Sequence, residues 1–156
     1  MNTNPRPQQS TATAQRLNDA MKRLRARLRA ESGQHATGLT PTQLGVLASV
    51  VREGPVTAAR LAALEHVSPQ SIAQSLAVLK AAGLVHGEPD PQDGRRKLMS
   101  ADPAATDLVA RLLEGRASFL ARAIDQVVAP DERKDVEKAI ELLERFAAAD
   151  LSDGSI

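Results

Sequence analysis

Apolar residues recur at helical spacing near both ends of the chain. Leu17, Met21, Leu24 and Leu28 follow one another three or four residues apart. They therefore share one face of a helix, which the spacing predicts from about residue 13. Two more amphipathic helices are predicted between residues 102 and 150, with a break at Pro130. Stripes of this kind must pack against another apolar surface to be stable.

The middle of the chain carries helix-start signals at three points. Thr40 and Ser68 are each followed by proline, which combines an N-cap side chain with a residue suited to the first helical position. Thr57 is a third candidate cap. The sequence thus predicts three short helices, the last of them over about residues 68–82. That last helix is predicted to bury a stripe that consists of Ile72, Leu76 and Leu79.

Two segments after these helices, residues 84–88 and 96–101, have the length of strands. The connection Asp90-Pro91-Gln92-Asp93-Gly94-Arg95-Arg96 is rich in turn formers, and Asp93-Gly94 is a strong hairpin signal. The sequence therefore predicts a mainly α fold with a small β-hairpin wing. A helix pair followed by a basic-tipped hairpin is the order of parts in a winged helix-turn-helix, which places one helix in the major groove of DNA.

Five segments follow from these patterns. They are a disordered N-terminal tail (1–12), an N-terminal helix (13–38), a winged helix-turn-helix (39–101), C-terminal helices (102–150) and a flexible tail (151–156). The chain has no cysteine, which excludes disulfides and thiolate metal sites. Its polar N-terminus lacks the apolar segment of a signal peptide, so we expect a cytoplasmic protein.

The formal net charge is only +1, so it gives no bulk-charge argument for binding nucleic acid. The distribution is more informative: residues 1–31 hold seven basic and two acidic residues, whereas residues 102–156 hold seven basic and twelve acidic ones. This asymmetry favours a molecule with one face toward phosphate and another away from it. Solvated helix faces with unevenly distributed charge explain the N-terminal cluster about equally well.

Several stretches of the chain, taken in order, resemble the MarR (multiple-antibiotic-resistance regulator) family of bacterial transcription regulators. They are residues 39–47, 61–62, 67–72, 79–85 and 90–96. The resemblance extends over roughly residues 13–149, and its most family-like element is Asp-Pro-x-Asp followed closely by Arg in residues 90–96.

The resemblance implies a winged helix-turn-helix with N- and C-terminal dimerisation helices. The terminal stripes fit this, because the first and last helices of two subunits interlock in that family. Each subunit would then present one module to a pseudo-palindromic double-stranded operator, with half-sites about 34 Å apart if they are separated by one turn of DNA. The family also implies a nucleoid-associated regulator, most often a repressor, that a small-molecule ligand can release from DNA.

The helix after Ser68 has the chemistry of a recognition helix. Its N-terminus offers free N–H groups and a positive dipole end to phosphate, and short polar side chains can approach base edges closely. A glutamine side chain can bond adenine bidentately, so Gln70 and Gln74 are candidate base contacts. The candidate contacts on this helix are Ser68, Gln70, Ser71, Gln74, Ser75 and Lys80. The alternative, a solvated polar face, is about equally plausible for the helix alone, but the adjoining wing favours DNA contact.

The wing supplies the remaining candidate contacts: Asp93, Arg95 and Arg96. The resemblance implies that Arg95 enters the minor groove and that Asp93, two residues before it, orients its side chain. A guanidinium suits the strongly negative potential of a narrow groove. The chain departs from the family at Gly94, where an arginine is common, and Arg96 is the candidate substitute.

Other chemistries receive little support. The histidines His35, His66 and His86 match no compact zinc motif, and there is no cysteine. We find no phosphate-binding loop, nucleophile elbow or paired carboxylates, so we expect neither an enzyme nor a cofactor. Phe119 and Phe146 are the only aromatic residues, so a stacking pocket is thinly provided, although an aliphatic cleft with Arg or His could still hold an anion.

Two other functions remain open. A winged-helix module that binds protein would carry acidic or bulky residues beside Gln70 and Gln74, and the sequence has none there. An architectural DNA-binding protein without sequence preference would need a stronger positive charge than +1.

Overall fold

The computed structural model describes residues 5–150, and the side chains from residue 9 onward. This part of the chain contains six α-helices and three short strands. The helices are α1 Pro5–Glu31, α2 Pro41–Glu53, α3 Ala58–Glu65, α4 Pro69–Ala81, α5 Pro103–Val127 and α6 Arg133–Ala148. The strands are β1 Val56–Thr57, β2 Val85–Pro89 and β3 Lys97–Ala101. The fold is therefore mainly helical with a small sheet, as the sequence predicts.

The expected N-caps are present at the starts of α2, α3 and α4. The hydroxyl oxygens of Thr40, Thr57 and Ser68 accept hydrogen bonds from the backbone N–H three residues later, at 3.2, 3.2 and 3.1 Å. Each cap satisfies one of the donors that a helix leaves free at its first turn. The caps fix where each helix begins, and α4 is confirmed to start at Pro69.

The sheet contains one strand that the sequence analysis missed. β3 lies in the middle and pairs antiparallel with β2 on one side and with β1 on the other. Both Val56 and Gly87 pair with Met99, which is buried. A strand of two residues is too short to show the apolar–polar alternation of a strand, so no sequence pattern predicts β1.

The hydrophobic core lies among α2, α3 and α4, the sheet and the first half of α5. Its largest fully buried apolar side chains are Leu47, Leu61, Ile72, Leu79, Val46 and Val50. From α5, Ala105, Val109 and Leu112 join this cluster. The first compact unit consequently ends at Arg116 and the second begins at Ala117. We expected the boundary at residue 102, but the apolar stripe at the start of α5 completes the core of the winged module.

The N-terminal helix begins earlier than expected. α1 starts at Pro5, so residues 5–12 are helical, in contrast to the predicted disordered tail. Prolines are tolerated in a first turn because its N–H groups have no acceptor within the helix, and the polar and alanine residues that follow permit propagation. Residues 1–4 and the predicted flexible tail, 151–156, lie outside the described residues. Across residues 5–150, no helix combines the length and apolarity needed to cross a bilayer.

The second compact unit contains the end of α5 and all of α6. None of the described residues of α6 is buried. Arg133 at its start donates to Asp125 of α5 at 2.8 Å. Four large apolar side chains of α6 are exposed: Ile140, Leu142, Leu143 and Phe146. The stripe that the sequence predicts on this helix is therefore uncovered in the single chain.

Candidate nucleic-acid interface

The exposed face of α4 carries most of the expected polar residues. Gln70 and Gln74 are exposed and Ser71 is half-buried, whereas Ser75 is only 5% exposed. The expectation that Ser75 lies on the open polar face is therefore wrong. Ser75 stands three residues after Ile72 and four before Leu79, which is the spacing of the buried stripe. The face available to a base edge contains the two glutamines, which are one turn apart.

Ser68 organises the N-terminus of α4. Its Oγ accepts from the Ser71 N–H at 3.1 Å and donates to Ser71 Oγ at 3.0 Å. The two hydroxyls are thus held together where the helix presents its free N–H groups and the positive end of its dipole. Lys80 is exposed near the other end of α4, about 18 Å away along the helix axis. Its Nζ lies close to Gly87 of β2, so it extends the basic surface toward the sheet.

Asp93 builds the tip of the wing. Its Oδ1 accepts from the Arg95 N–H at 3.1 Å, and its backbone oxygen accepts from the Arg96 N–H at 2.8 Å. Its Oδ2 lies 3.3 Å from Arg96 Nε. The resemblance implies that Asp93 orients the side chain of Arg95, but the ion pair is formed with Arg96. The carboxylate folds the turn through the Arg95 backbone instead, because an Asp side chain commonly bonds the amide two residues later.

The consequence for Arg95 is an exposed guanidinium at the wing tip, without an ion pair to any of the described residues. Gly94 beside it has open space around its α-carbon and no positive φ. A side chain at position 94 would therefore fit without strain. At the wing tip, Arg96 is paired with Asp93, whereas Arg95 has no ion pair to a described residue. Gly94 leaves space for a further side chain.

His86 and Asp102 form a contact at the base of the wing. His86 Nδ1 lies 2.8 Å from Asp102 Oδ1. Asp102 is a residue type favoured as the N-cap of a helix, and it stands just before α5. It does precede Pro103, and its backbone oxygen accepts from the Ala105 N–H at 2.9 Å, but its carboxylate binds the imidazole. The pair ties β2 to the start of α5, next to the place where the Asp102 N–H donates to the Leu84 oxygen.

A cavity of about 280 Å³ lies between α1, α2 and the first half of α5. Leu28, Leu44, Ala48, Val109, Leu112 and Leu113 supply apolar wall, and Arg25, Arg29, Gln34 and Arg116 supply polar groups. Arg116 Nη2 donates to Gln34 Oε1 at 3.1 Å, and Gln34 is only 4% exposed. Arg116 Nε is buried without a hydrogen-bond partner among the described residues. A buried, unsatisfied guanidinium nitrogen favours an anionic or strongly accepting occupant.

No pattern in the sequence predicts this cavity. Arg25 and Arg29 are compatible with a solvated helix face, and Gln34 falls within the segment predicted as the N-terminal helix, 13–38. Arg116 stands in the acid-rich part of the chain, 82 residues from its partner Gln34. No local pattern relates positions that are so far apart. The only available signal was the general expectation of an aliphatic cleft with an arginine.

The arrangement of α2, α3, α4 and the hairpin defines a winged helix-turn-helix, a class that binds DNA through an exposed helix and a basic wing. The MarR family model matches residues 37–96, which span the module from α2 to the wing tip. An uncharacterized HTH-type transcriptional regulator of Mycobacterium leprae is 32% identical over 127 residues, which are 81% of this chain and 87% of the relative.

Solved structures agree with that relationship. A transcriptional regulator protein from Pseudomonas aeruginosa PA01 superposes with a TM-score of 0.78 at 28% identity, over 91% of this chain and 98% of that one. A Mycobacterium tuberculosis protein has a TM-score of 0.77 at 25% identity, over 89% and 94% of the two chains. The chain belongs to the MarR family. It is a DNA-binding transcriptional regulator and not an enzyme.

Proposed function

We propose that the protein is a homodimeric repressor that binds a pseudo-palindromic operator and leaves it when a small molecule occupies the cavity. The observation that carries the DNA-binding part is the available guanidinium of Arg95, held on a tip that Asp93 and Arg96 build, next to an α4 with two exposed glutamines. No acidic residue stands anywhere on α4. That composition favours DNA over a protein partner, since acids on this face would repel phosphate.

The roles divide by chemistry. Gln70 and Gln74 read base edges in the major groove, and Ser68 and Ser71 place the helix N-terminus against phosphate. Arg95 enters the minor groove, where the potential is strongest. Arg96 and Lys80 are exposed cations that contact the phosphate backbone of the DNA. Asp93 is a positioning residue that shapes the tip. We leave Ser75 out of the proposed contact set because it is buried.

A fluorescence-anisotropy titration tests the DNA-binding part. The full chain is titrated against a duplex from its own upstream region and against a scrambled duplex, each at several salt concentrations. We expect the upstream duplex to bind at least about 10³-fold more tightly, with a steep loss of affinity as salt rises. Equal affinity for both duplexes would indicate an architectural protein. A reporter gene under the same upstream region, with and without the regulator, gives the sign of regulation.

The dimer is supported by the apolar surface at both ends of the chain. Phe146 is 61% exposed, and Ile140, Leu143 and Leu24 are exposed as well. Apolar surface of this extent on helices normally marks an interface. Two identical subunits also suit a two-fold operator. Sedimentation equilibrium on the full chain measures the mass directly, and a monomer at micromolar concentration would contradict the proposal.

The ligand part rests on the cavity. Arg25, Arg29 and Arg116 surround an aliphatic wall, and none of the described aromatic residues lines it. The arrangement suits a compact carboxylate with a branched or cyclic aliphatic body, because guanidinium binds carboxylate bidentately while the walls remove apolar surface from water. A panel of such acids, scored by the release of a labelled operator, tests it. Arg116→Met should abolish the response and leave operator binding intact.

A further inference from the structure

One face of α2 is built to receive a side chain from α3. A Cβ at Gly45 would lie 2.6 Å from Glu65 Oε2, so the carboxylate rests directly on the bare α-carbon. One turn later, Ser49 Oγ donates to Glu65 Oε1. A further turn on, Arg52 Nη2 donates to Ser49 Oγ at 3.2 Å. Ser49 is 1% exposed, so the hydroxyl that holds the carboxylate is shielded from water.

Glu65 stands at a decisive point along the chain. It is the last residue of α3, and the next residue, His66, turns the backbone with a φ of 53°. Ser68, which caps the recognition helix α4, follows two residues after His66. The backbone between Glu65 and the cap is therefore very short. A carboxylate fixed on α2 restrains the direction in which α4 begins.

The same stretch of α2 is also a wall of the cavity. Gly45 and Ala48 line it, together with Pro41 and Leu44. Gly45 thus lines the cavity and also lies against the Glu65 carboxylate. Close packing at an α-carbon leaves no slack, so a shift of α2 away from an occupant must either move Glu65 or break its bond to Ser49.

We propose that Gly45, Ser49 and Glu65 form a latch that transmits occupancy of the cavity to the recognition helix. Glu65 is a positioning residue in this device and touches neither DNA nor ligand. The proposal deepens the ligand-release part of the proposed function and rests on it. The coupling is the difference in free energy of the latch between the empty and the filled cavity, as any allosteric link between two sites requires.

The first test is a pair of substitutions that interact. Gly45→Ala forces a Cβ into the carboxylate, and Glu65→Ala removes the carboxylate. We expect each to weaken operator binding about tenfold, and the double variant to be no weaker than Glu65→Ala alone, because the collision no longer exists. Glu65→Gln keeps an oxygen for the Ser49 hydroxyl, so its affinity should stay within about threefold of the natural chain. Asp107→Ala removes an exposed carboxylate on α5 that takes no part in the latch, and it is the matched control.

The second test fills the cavity without any ligand. Ala48→Leu places side-chain volume in the cavity wall, so we expect operator affinity to fall about tenfold in the natural chain and to change less than about twofold in Glu65→Ala. A merely structural role for Glu65 would lower the melting temperature but leave the two effects additive. Additive losses, or Glu65→Ala binding the operator like the natural chain, would overturn the latch.

Backbone amide NMR of α4 separates the latch from the wider proposal. Gly45→Ala, Glu65→Ala and Ala48→Leu should displace the same amide resonances, those of residues 68–72, whether or not DNA is present. If the natural chain binds no operator, the proposed function fails, yet these shifts still decide the latch. Shifts confined to each site of substitution would contradict it even if operator binding is confirmed.

Discussion

α4 and α6 are both amphipathic helices, but the apolar stripe of α4 is buried and that of α6 is exposed. α4 buries Ile72, Leu76 and Leu79 in the core, whereas none of the described residues of α6 is buried. The module around α4 is therefore complete within one chain. α6 carries an apolar stripe that only becomes stable when something covers it. The winged module is thus buried within one chain, whereas the stripe of α6 needs a further surface to cover it.

The largest expected effect is on the stability of the chain and concerns α4, whose apolar stripe is buried in the core. Leu79→Ala leaves a cavity in a fully buried site, so we expect the free energy of unfolding to fall by about 2–5 kcal/mol. Val78→Ala, one residue away and 41% exposed, should change it by less than about 0.5 kcal/mol. Denaturant titrations at one fixed protein concentration measure both. Similar losses in the two variants would mean that α4 is not anchored as described.

The next effect lies in α6 and concerns assembly. Ile140→Glu places a charge within the exposed stripe, so covering that stripe would bury an unpaired carboxylate. We expect the dissociation constant of the dimer to rise at least about 100-fold, with the circular dichroism of the helices retained. Glu141→Gln is the control, since it changes charge on the neighbouring residue. A variant that remains dimeric would show that α6 is not the interface, and one that unfolds would show that the winged module is not independent.

The third effect uses the monomeric variant to count wings. Each Arg95 neutralises DNA charge, so Arg95→Ala should reduce the slope of log affinity against log salt by about one per wing. If the natural chain is the proposed dimer, we expect a change of about two there and about one in the Ile140→Glu background. Arg96→Ala should reduce the slope less, because Arg96 is already paired with Asp93. Anisotropy titrations at four or more salt concentrations give the slopes, and equal changes in both backgrounds would refute two symmetric wings.

Local signals predicted the frame of the winged module well. The caps at Thr40, Thr57 and Ser68 and the stripe of α4 are all present. These features depend on residues within one or two turns of each other, and short-range spacing reveals them. Ser75 was misplaced because a serine reads as polar even when its position on the helix points inward.

Contacts between residues that are far apart in the sequence could not be predicted from it. The bond between Glu65 and Ser49 crosses 16 residues, and the one between Arg116 and Gln34 crosses 82. Gly45 gave no signal of its own, because a helical glycine is informative only when its neighbour in space is known. Likewise, the choice of Asp93 between Arg95 and Arg96 depends on the turn geometry and not on the spacing.

The smallest expected effect is on operator affinity and concerns the wing tip, which one chain forms by itself. Gly94 has open space and an ordinary backbone conformation, so Gly94→Arg should fold normally and add one phosphate contact beside Arg95. We expect operator affinity to rise by less than about tenfold and the salt slope to steepen by about one for each wing. Gly94→Ala is the matched control and should change neither. If the added arginine weakens binding to the operator and to a scrambled duplex alike, the tip does not face phosphate. The proposed approach of the wing to the minor groove would then be wrong even though α4 still reads the operator.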